Sequence, residues 1–160
     1  MQDTRIHIDS EIGKLNAVMV HRPGREIENM TPASAAEVLY DDILNLQLAV
    51  REHDQLTGVL RRVAEVYEFE DLLRDTLADE RMKGLLIDEL VSLYDCAELA
   101  GELKETDNAE LAPQLFQGTP MRKDSLEKFL SPLRHAIPPL PNAFFTRDAV
   151  MAVNGHVIIG

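Results

Sequence analysis

The chain has 160 residues, 45% of them hydrophobic and 28% charged, with a formal net charge of −12 from 28 acidic and 16 basic residues. That balance suits a soluble globular protein of about one ordinary domain, and no apolar run approaches the roughly 18 residues of a membrane-spanning helix. The acidic surplus, with no Lys/Arg cluster to offset it, argues against nucleic acid as a partner. It is read mainly as a solubility feature, with at most weak steering of a small cationic substrate. The first fifteen residues hold no apolar signal core, and the single cysteine, Cys96, rules out an internal disulfide. Both point to the cytoplasm.

The first stretch, residues 1–69, mixes strand and helix. Leu15 to His21 is apolar and rich in β-formers, and it stops at the turn signal Arg22-Pro23-Gly24. A helix is predicted over 42–63, where Leu46, Val50, His53, Leu56, Leu60 and Val63 recur at spacings of three and four. On that stripe His53 reads as a satisfied core or interface histidine. Glu65 to Phe69 alternates as a second strand, so strand, helix and strand form an α/β unit whose two strands share a sheet.

The second stretch, residues 70–134, contains no convincing strand. Met82, Leu86, Leu90, Leu93, Ala97 and Ala100 form a helical stripe. Asp107 with Glu110, and Asp124 with Glu127, resemble capping boxes that open two shorter helices. Leu111 and Leu115 serve the first of these, and Phe129, Leu130 and Leu133 the second. The stretch reads as a small helical bundle, and its 15 acidic against 8 basic residues give it −7 of the total charge. Cys96 lies at helical spacing from Leu93 and Ala100, with Asp95 and Glu98 close by; neighbouring carboxylates disfavour a thiolate, so a buried structural cysteine is expected.

The third stretch, residues 135–160, opens on the proline cluster from Ile137 to Pro141, which cannot continue a helix. Phe144 to Thr146 and Val150 to Val153 read as strand, Asn154-Gly155 as a tight hairpin turn, and Val157 to Ile159 as the return strand. A bare strand of that composition calls for cover, either from a partner chain or from further polypeptide. The five histidines show no paired metal spacing and no glycine-rich phosphate loop is present, so neither metal nor cofactor is expected.

Three blocks carry a resemblance: residues 10–24 (SEIGKLNAVMVHRPG), residues 29–43 (NMTPASAAEVLYDDI) followed by Glu52 to Asp54, and residues 138–150 (PPLPNAFFTRDAV). In this order, with a helical segment between the second and third, they resemble the arginine deiminases of the guanidino-group-modifying superfamily. The resemblance implies an α/β propeller of five modules with an inserted helical bundle. Residues 1–69 would be the first module, 70–134 the bundle, and 135–160 the start of a truncated second module. It also implies hydrolysis of L-arginine to L-citrulline and ammonia through a cysteine-bound intermediate.

Residue by residue, the resemblance makes Asp148 the catalytic-site carboxylate that grips the substrate guanidinium. Asn142 would help hold the amino-acid end of arginine, Phe145 would wall the pocket, and Leu39 would lie over the substrate. A carboxylate can accept two parallel N–H bonds from a planar guanidinium, fixing its plane as well as its charge. Ala149 stands where many relatives have proline. The nucleophilic cysteine, the catalytic histidine and the second guanidinium-binding carboxylate have no counterpart here, so the chain alone is expected to be inactive. Against these roles, an Asp after Thr-Arg is ordinarily a surface residue, Asn142 is a turn former, and Phe145 and Leu39 would suit the core of any fold. Two other readings stay open. One is a catalytically inert relative whose bundle mediates association, as in a homo-oligomer. The other is a different guanidino-modifying enzyme, an amidinotransferase or an agmatine-type hydrolase.

Overall fold

The computed structural model describes residues 6–10, 12–29 and 44–159. Strand β1 (Ala17–Val20) leads through Arg22-Pro23-Gly24 into a single helical turn, α1 (Arg25–Glu28). Helix α2 (Leu46–Leu60) then returns the chain to strand β2 (Glu65–Glu68), which pairs parallel with β1 from Ala17↔Glu65 to Val20↔Glu68. The expected strand–helix–strand unit is therefore formed. The helix is shorter than its apolar spacing predicts. The Asn45 side chain accepts the Leu48 N–H and sets its start, and the chain leaves the helix after Leu60, putting Val63 in solvent. Thr57 is the buried residue of α2, while Leu48, Leu56 and Val59 are exposed.

Phe69 does not close β2 but opens α3 (Phe69–Leu77). Helix α4 (Glu80–Leu93) is capped by Asp79, which accepts from the N–H groups of Arg81 and Met82. The predicted stripe from Met82 to Ala100 is broken after Leu93. Asp95 takes a left-handed φ of 50°, a 3-10 turn follows over Ala97–Leu99, and α5 (Ala100–Glu105) starts afresh. The buried face of α4 is Lys83, Ile87 and Val91, one step round from the predicted stripe, and Met82 and Leu93 face water. Buried Lys83 is held by the C-terminal end of α5, where its ammonium donates to the Thr106 carbonyl at 2.7 Å. Asp107 caps α6 (Asn108–Gln117) as predicted, accepting from Ala109 N–H at 2.8 Å.

The second predicted box is displaced by one residue. Ser125, not Asp124, caps α7 (Leu126–Leu130), its hydroxyl oxygen accepting from Lys128 N–H. Leu126, Phe129, Leu130 and Leu133 are all more than half exposed, so they do not pack as the sequence suggested. The stretch expected to be all-helical also holds strand β3 (Thr119–Pro120), antiparallel to β4 (His135–Ile137). Gly118 makes this turn possible: it sits at φ 87°, and a Cβ there would lie 2.8 Å from the Pro139 nitrogen.

One dry core joins the helices. Leu77, Ile87, Val91, Cys96, Leu99, Leu103, Leu111, Ala112 and Leu115 are buried together, and Ile137 of β4 enters the same cluster. Beyond it, Phe144 to Thr146 is not a strand, because Pro141 and Asn142 favour a turn; the chain makes a 3-10 turn over Pro141–Phe144. The hairpin β5 (Val150–Val153) and β6 (His156–Ile159) forms as predicted around Asn154 (φ 51°) and Gly155. Its turn is tied back to the N-terminal segment by two bonds between the backbones of Ile8 and Asn154. Among the described residues, no helix is long and apolar enough to cross a membrane.

Candidate functional site

Three of the four residues singled out in the sequence lie on one loop, residues 141–149, between β4 and the hairpin. The loop enters from Leu140, whose N–H donates to the Phe116 carbonyl of α6 at 2.8 Å. Buried Pro141 opens the 3-10 turn. Phe145 N–H then donates to the Asn142 carbonyl at 3.0 Å, and Asp148 N–H to the Phe145 carbonyl at 3.1 Å. The Thr146 hydroxyl donates to the Met19 carbonyl at 3.0 Å, so the loop lies against β1. The Phe144 and Phe145 rings pack with centroids 4.2 Å apart. Asn142, Phe145 and Asp148 are all solvent-exposed. Leu39, the fourth, lies outside the described residues.

The described residues do not close a cavity around Asp148. An open cleft of about 340 Å³ lies next to the loop, between it and α2, lined by Pro23, Leu44, Leu48, His53, Leu56 and Phe144 among others. Phe144 rather than Phe145 is the loop's contribution to that cleft. What the arrangement offers chemically is an accessible carboxylate on a backbone fixed at two points. That suits recognition of a planar cation, which needs two acceptor oxygens in one plane.

A second cluster occupies the C-terminal end of β1. His21 is 2% exposed and Glu26 1%. The His21 Nε2 lies 3.3 Å from Glu26 Oε1, and its Nδ1 lies 3.6 Å from Glu68 Oε1. The ring stacks on Phe116 of α6 at 4.3 Å and meets Phe69 of α3 edge-on, so His21 joins the α/β unit to the helices. Glu26 Oε1 also accepts from Gly24 N–H at 2.5 Å, and a Cβ on Gly24 would come within 2.6 Å of the same carboxylate. Next along the chain, Arg22 makes a two-pronged pair with Asp54, through Nε at 2.8 Å and Nη2 at 3.0 Å. That bond holds Arg22 charged to higher pH and the Asp54 carboxyl below its usual range. Burial pushes the Glu68 carboxyl up, opposed by the Arg22 N–H it accepts at 2.6 Å. Burial pushes the His53 imidazole down, and its Nδ1 meets the Thr57 hydroxyl at 3.3 Å.

The sequence reading gave His21 no role beyond preceding a turn. Its one available signal was a polar residue closing an apolar strand, and its partners Glu26 and Glu68 come from two other elements. Cys96 conforms to expectation: it is 3% exposed, and burial, then Glu98 and Asp95, push its thiol up. A thiol so placed is a poor nucleophile. Among the described residues, no group of three or more His, Cys, Asp or Glu side chains is arranged to hold a metal.

The arginine deiminase family model matches residues 36–160. Curated arginine deiminases align with nearly the whole chain. That of Limosilactobacillus reuteri is 37% identical and covers 96% of the chain. That of Streptococcus uberis is 36% identical over 95%, and that of Oenococcus oeni 33% identical over 96%. In each case the chain spans about 41% of the relative's length.

Proposed function

The chain belongs to the arginine deiminase family, and from that premise we propose that it supplies part of the arginine site of a deiminase as the enzyme's N-terminal portion. In this reading Asp148 accepts two N–H bonds from the substrate guanidinium and holds its carbon in line for attack. Asn142 holds the amino-acid end, Phe145 walls the pocket, and Leu39 lies over the bound substrate. A cysteine thiolate then attacks the guanidinium carbon and ammonia departs with a proton. Water then adds to the same carbon of the S-alkylthiouronium intermediate, and the C–S bond breaks to release citrulline and the cysteine sulfur.

The thiolate is not Cys96, whose burial and acidic neighbours oppose ionisation. It belongs, with the catalytic histidine and the second guanidinium-binding carboxylate, to the part of the relatives' length that this chain does not span. The same holds for the rest of the propeller. In it the β1–α2–β2 unit is the first module, the helices from 70 to 134 are the insertion, and the β5–β6 hairpin opens the second module. The exposed apolar residues of α2 and of β6 would then pack against later modules. The reaction takes place in the cytoplasm, without metal or cofactor.

The observation that supports this reading is the loop bearing Asn142, Phe145 and Asp148, anchored to β1 by the Thr146 hydroxyl within the family-matched region. The test is citrulline release from L-arginine. The polypeptide that includes the remaining family length is expected to turn over. Its Asp148→Ala variant should lose at least about a hundredfold in kcat/KM at unchanged melting temperature, the scale associated with mispositioned reacting groups. The 160 residues alone should release none. Wild-type turnover by the Asp148→Ala variant would remove the assignment.

One further reading has its own observation. Leu126, Phe129 and Leu130 of α7, with Leu133 just after it, leave exposed apolar side chains that suit association of the helical unit with a second copy. Sedimentation that gives a monomer at all concentrations, with Phe129→Ser without effect, would dispose of it.

A further inference from the structure

We infer that Thr146 is a positioning residue for Asp148: its hydroxyl ties the substrate-binding loop to the edge of β1 opposite β2 and so helps fix where the carboxylate stands. The inference rests on the reading of Asp148 given above and adds to it the element that aims that carboxylate.

The geometry of β1 supplies the reason. The Asn16 carbonyl accepts Glu65 N–H at 3.0 Å, so it points toward β2. Carbonyl direction alternates along a strand, and in a parallel ladder each residue's N–H and C=O point the same way. Residues 18 and 20 therefore also address β2, while 17 and 19 point to the opposite edge. The carbonyl on that edge reached by the loop is that of Met19, and its bonding partner is the Thr146 hydroxyl at 3.0 Å. A side chain here does what a neighbouring strand would otherwise do.

Thr146 stands two residues before Asp148 and one after Phe145. The loop's entry is fixed to α6 by the Leu140 to Phe116 bond, and its exit runs into the hairpin. Between those points the two loop bonds from Phe145 N–H and Asp148 N–H are internal to the loop, so they stiffen it without locating it. The Thr146 bond is a long-range tie from within the loop, joining residues 127 apart in sequence. Asp148 itself is exposed, so side-chain packing does not hold it. Thr146, two residues before Asp148, joins this part of the loop to β1, while the hairpin that follows is joined to the N-terminal segment through Ile8 and Asn154.

The experiment compares Thr146→Val, which keeps the β-branched shape but removes the donor, with Thr146→Ser, which keeps the hydroxyl, in the polypeptide with full family length. Amide hydrogen exchange is read at Phe145 and Asp148, and steady-state kinetics with L-arginine beside it. Thr146→Val should speed exchange at both amides by about tenfold, the factor set by loss of one ordinary hydrogen bond. The amides linking β1 and β2 should keep their rates. The same variant should lower kcat by roughly ten- to a hundredfold with a smaller change in KM, because arginine is still held but badly aimed. Thr146→Ser should restore both readouts to within about threefold of the parent, since only the donor matters.

Unchanged exchange in Thr146→Val overturns the tie. Faster exchange with unchanged kcat overturns the positioning role, and so does a Ser variant as impaired as Val. If Thr146→Val does not fold, Thr146→Ala is read by the same two measurements. A parent polypeptide that exchanges as expected yet releases no citrulline instead removes the deiminase reading, and the positioning role with it, while leaving the tie itself established.

Discussion

The helical unit and the α/β segments on either side of it are built on different terms. Helices α3 to α6 bury Leu77, Ile87, Leu103 and Leu111 almost completely, in one apolar cluster closed by Ile137. Among the described residues of the α/β segments, polar His21, Glu26 and Thr57 are buried beside Val20, Pro23 and Ile27. The same segments leave Leu48, Leu56, Val59, Met151, Ile158 and Ile159 in water. Apolar burial stabilises by roughly 25 cal/mol per Å², so among the described residues it contributes more to the helical unit than to the α/β segments. Among the described residues, the segments that carry the candidate site thus hold fewer buried apolar side chains. The contrast can be broken or sharpened by substitution.

The largest effect is expected in the bundle. Leu111→Ala removes a fully buried side chain and should cost about 2–5 kcal/mol. Leu56→Ala, 54% exposed on α2, should cost less than about 0.5 kcal/mol. Urea titrations of both variants decide this, and equal costs would erase the distinction. Next comes Asp107→Ala, which removes the cap of α6 and should cost about 1 kcal/mol, whereas Asp124→Ala should be nearly silent because Ser125 holds that cap.

The smallest effects are the pH-linked ones, and they belong to the α/β side. His53 is lowered by burial, so its contribution is present above about pH 6.5 and is lost as pH falls through its folded value. His53→Gln should flatten that loss in melting temperature measured from pH 7 to 5. Glu68 is raised by burial, so its contribution is present below the ordinary carboxylate range and is lost as pH rises through its folded value. Glu68→Gln, which keeps an acceptor for Arg22 N–H, should therefore raise stability slightly at pH 7. The opposite sign in either variant would show that these groups do not set the pH dependence.

Much of the fold was legible because local chemistry decided it. The β-forming run of residues 15–21, the alternation of 65–69, the Asn154-Gly155 turn and the Asp107 cap each act within a few residues. The break in the bundle stripe was not, since the 3.6-residue spacing runs unaltered through Asp95, where the backbone turns left-handed. Neither was β3, two residues long and containing Pro120, too short to show a period. At the start of α7 the competition between Asp124 and Ser125 as caps is settled by one residue of register, which two adjacent good cappers do not disclose. The site was legible only by resemblance. Physically, Asp148 after Thr-Arg is an ordinary surface residue, and the bond from nearby Thr146 to a strand 127 residues earlier has no local sequence signal. The His21 cluster escaped for the same reason, being assembled from β1, α1 and β2 and capped by Phe116 of α6.

The central claim is that Asp148 clasps the guanidinium of arginine. A crystal structure of the full-family-length polypeptide, with its nucleophilic cysteine replaced by alanine and L-arginine bound, measures this directly. The account predicts both Asp148 carboxylate oxygens at about 2.7–2.9 Å from two guanidinium nitrogens, the spacing of a charge-assisted pair. Arginine bound with Asp148 turned to bulk solvent, and another carboxylate in its place, would contradict it.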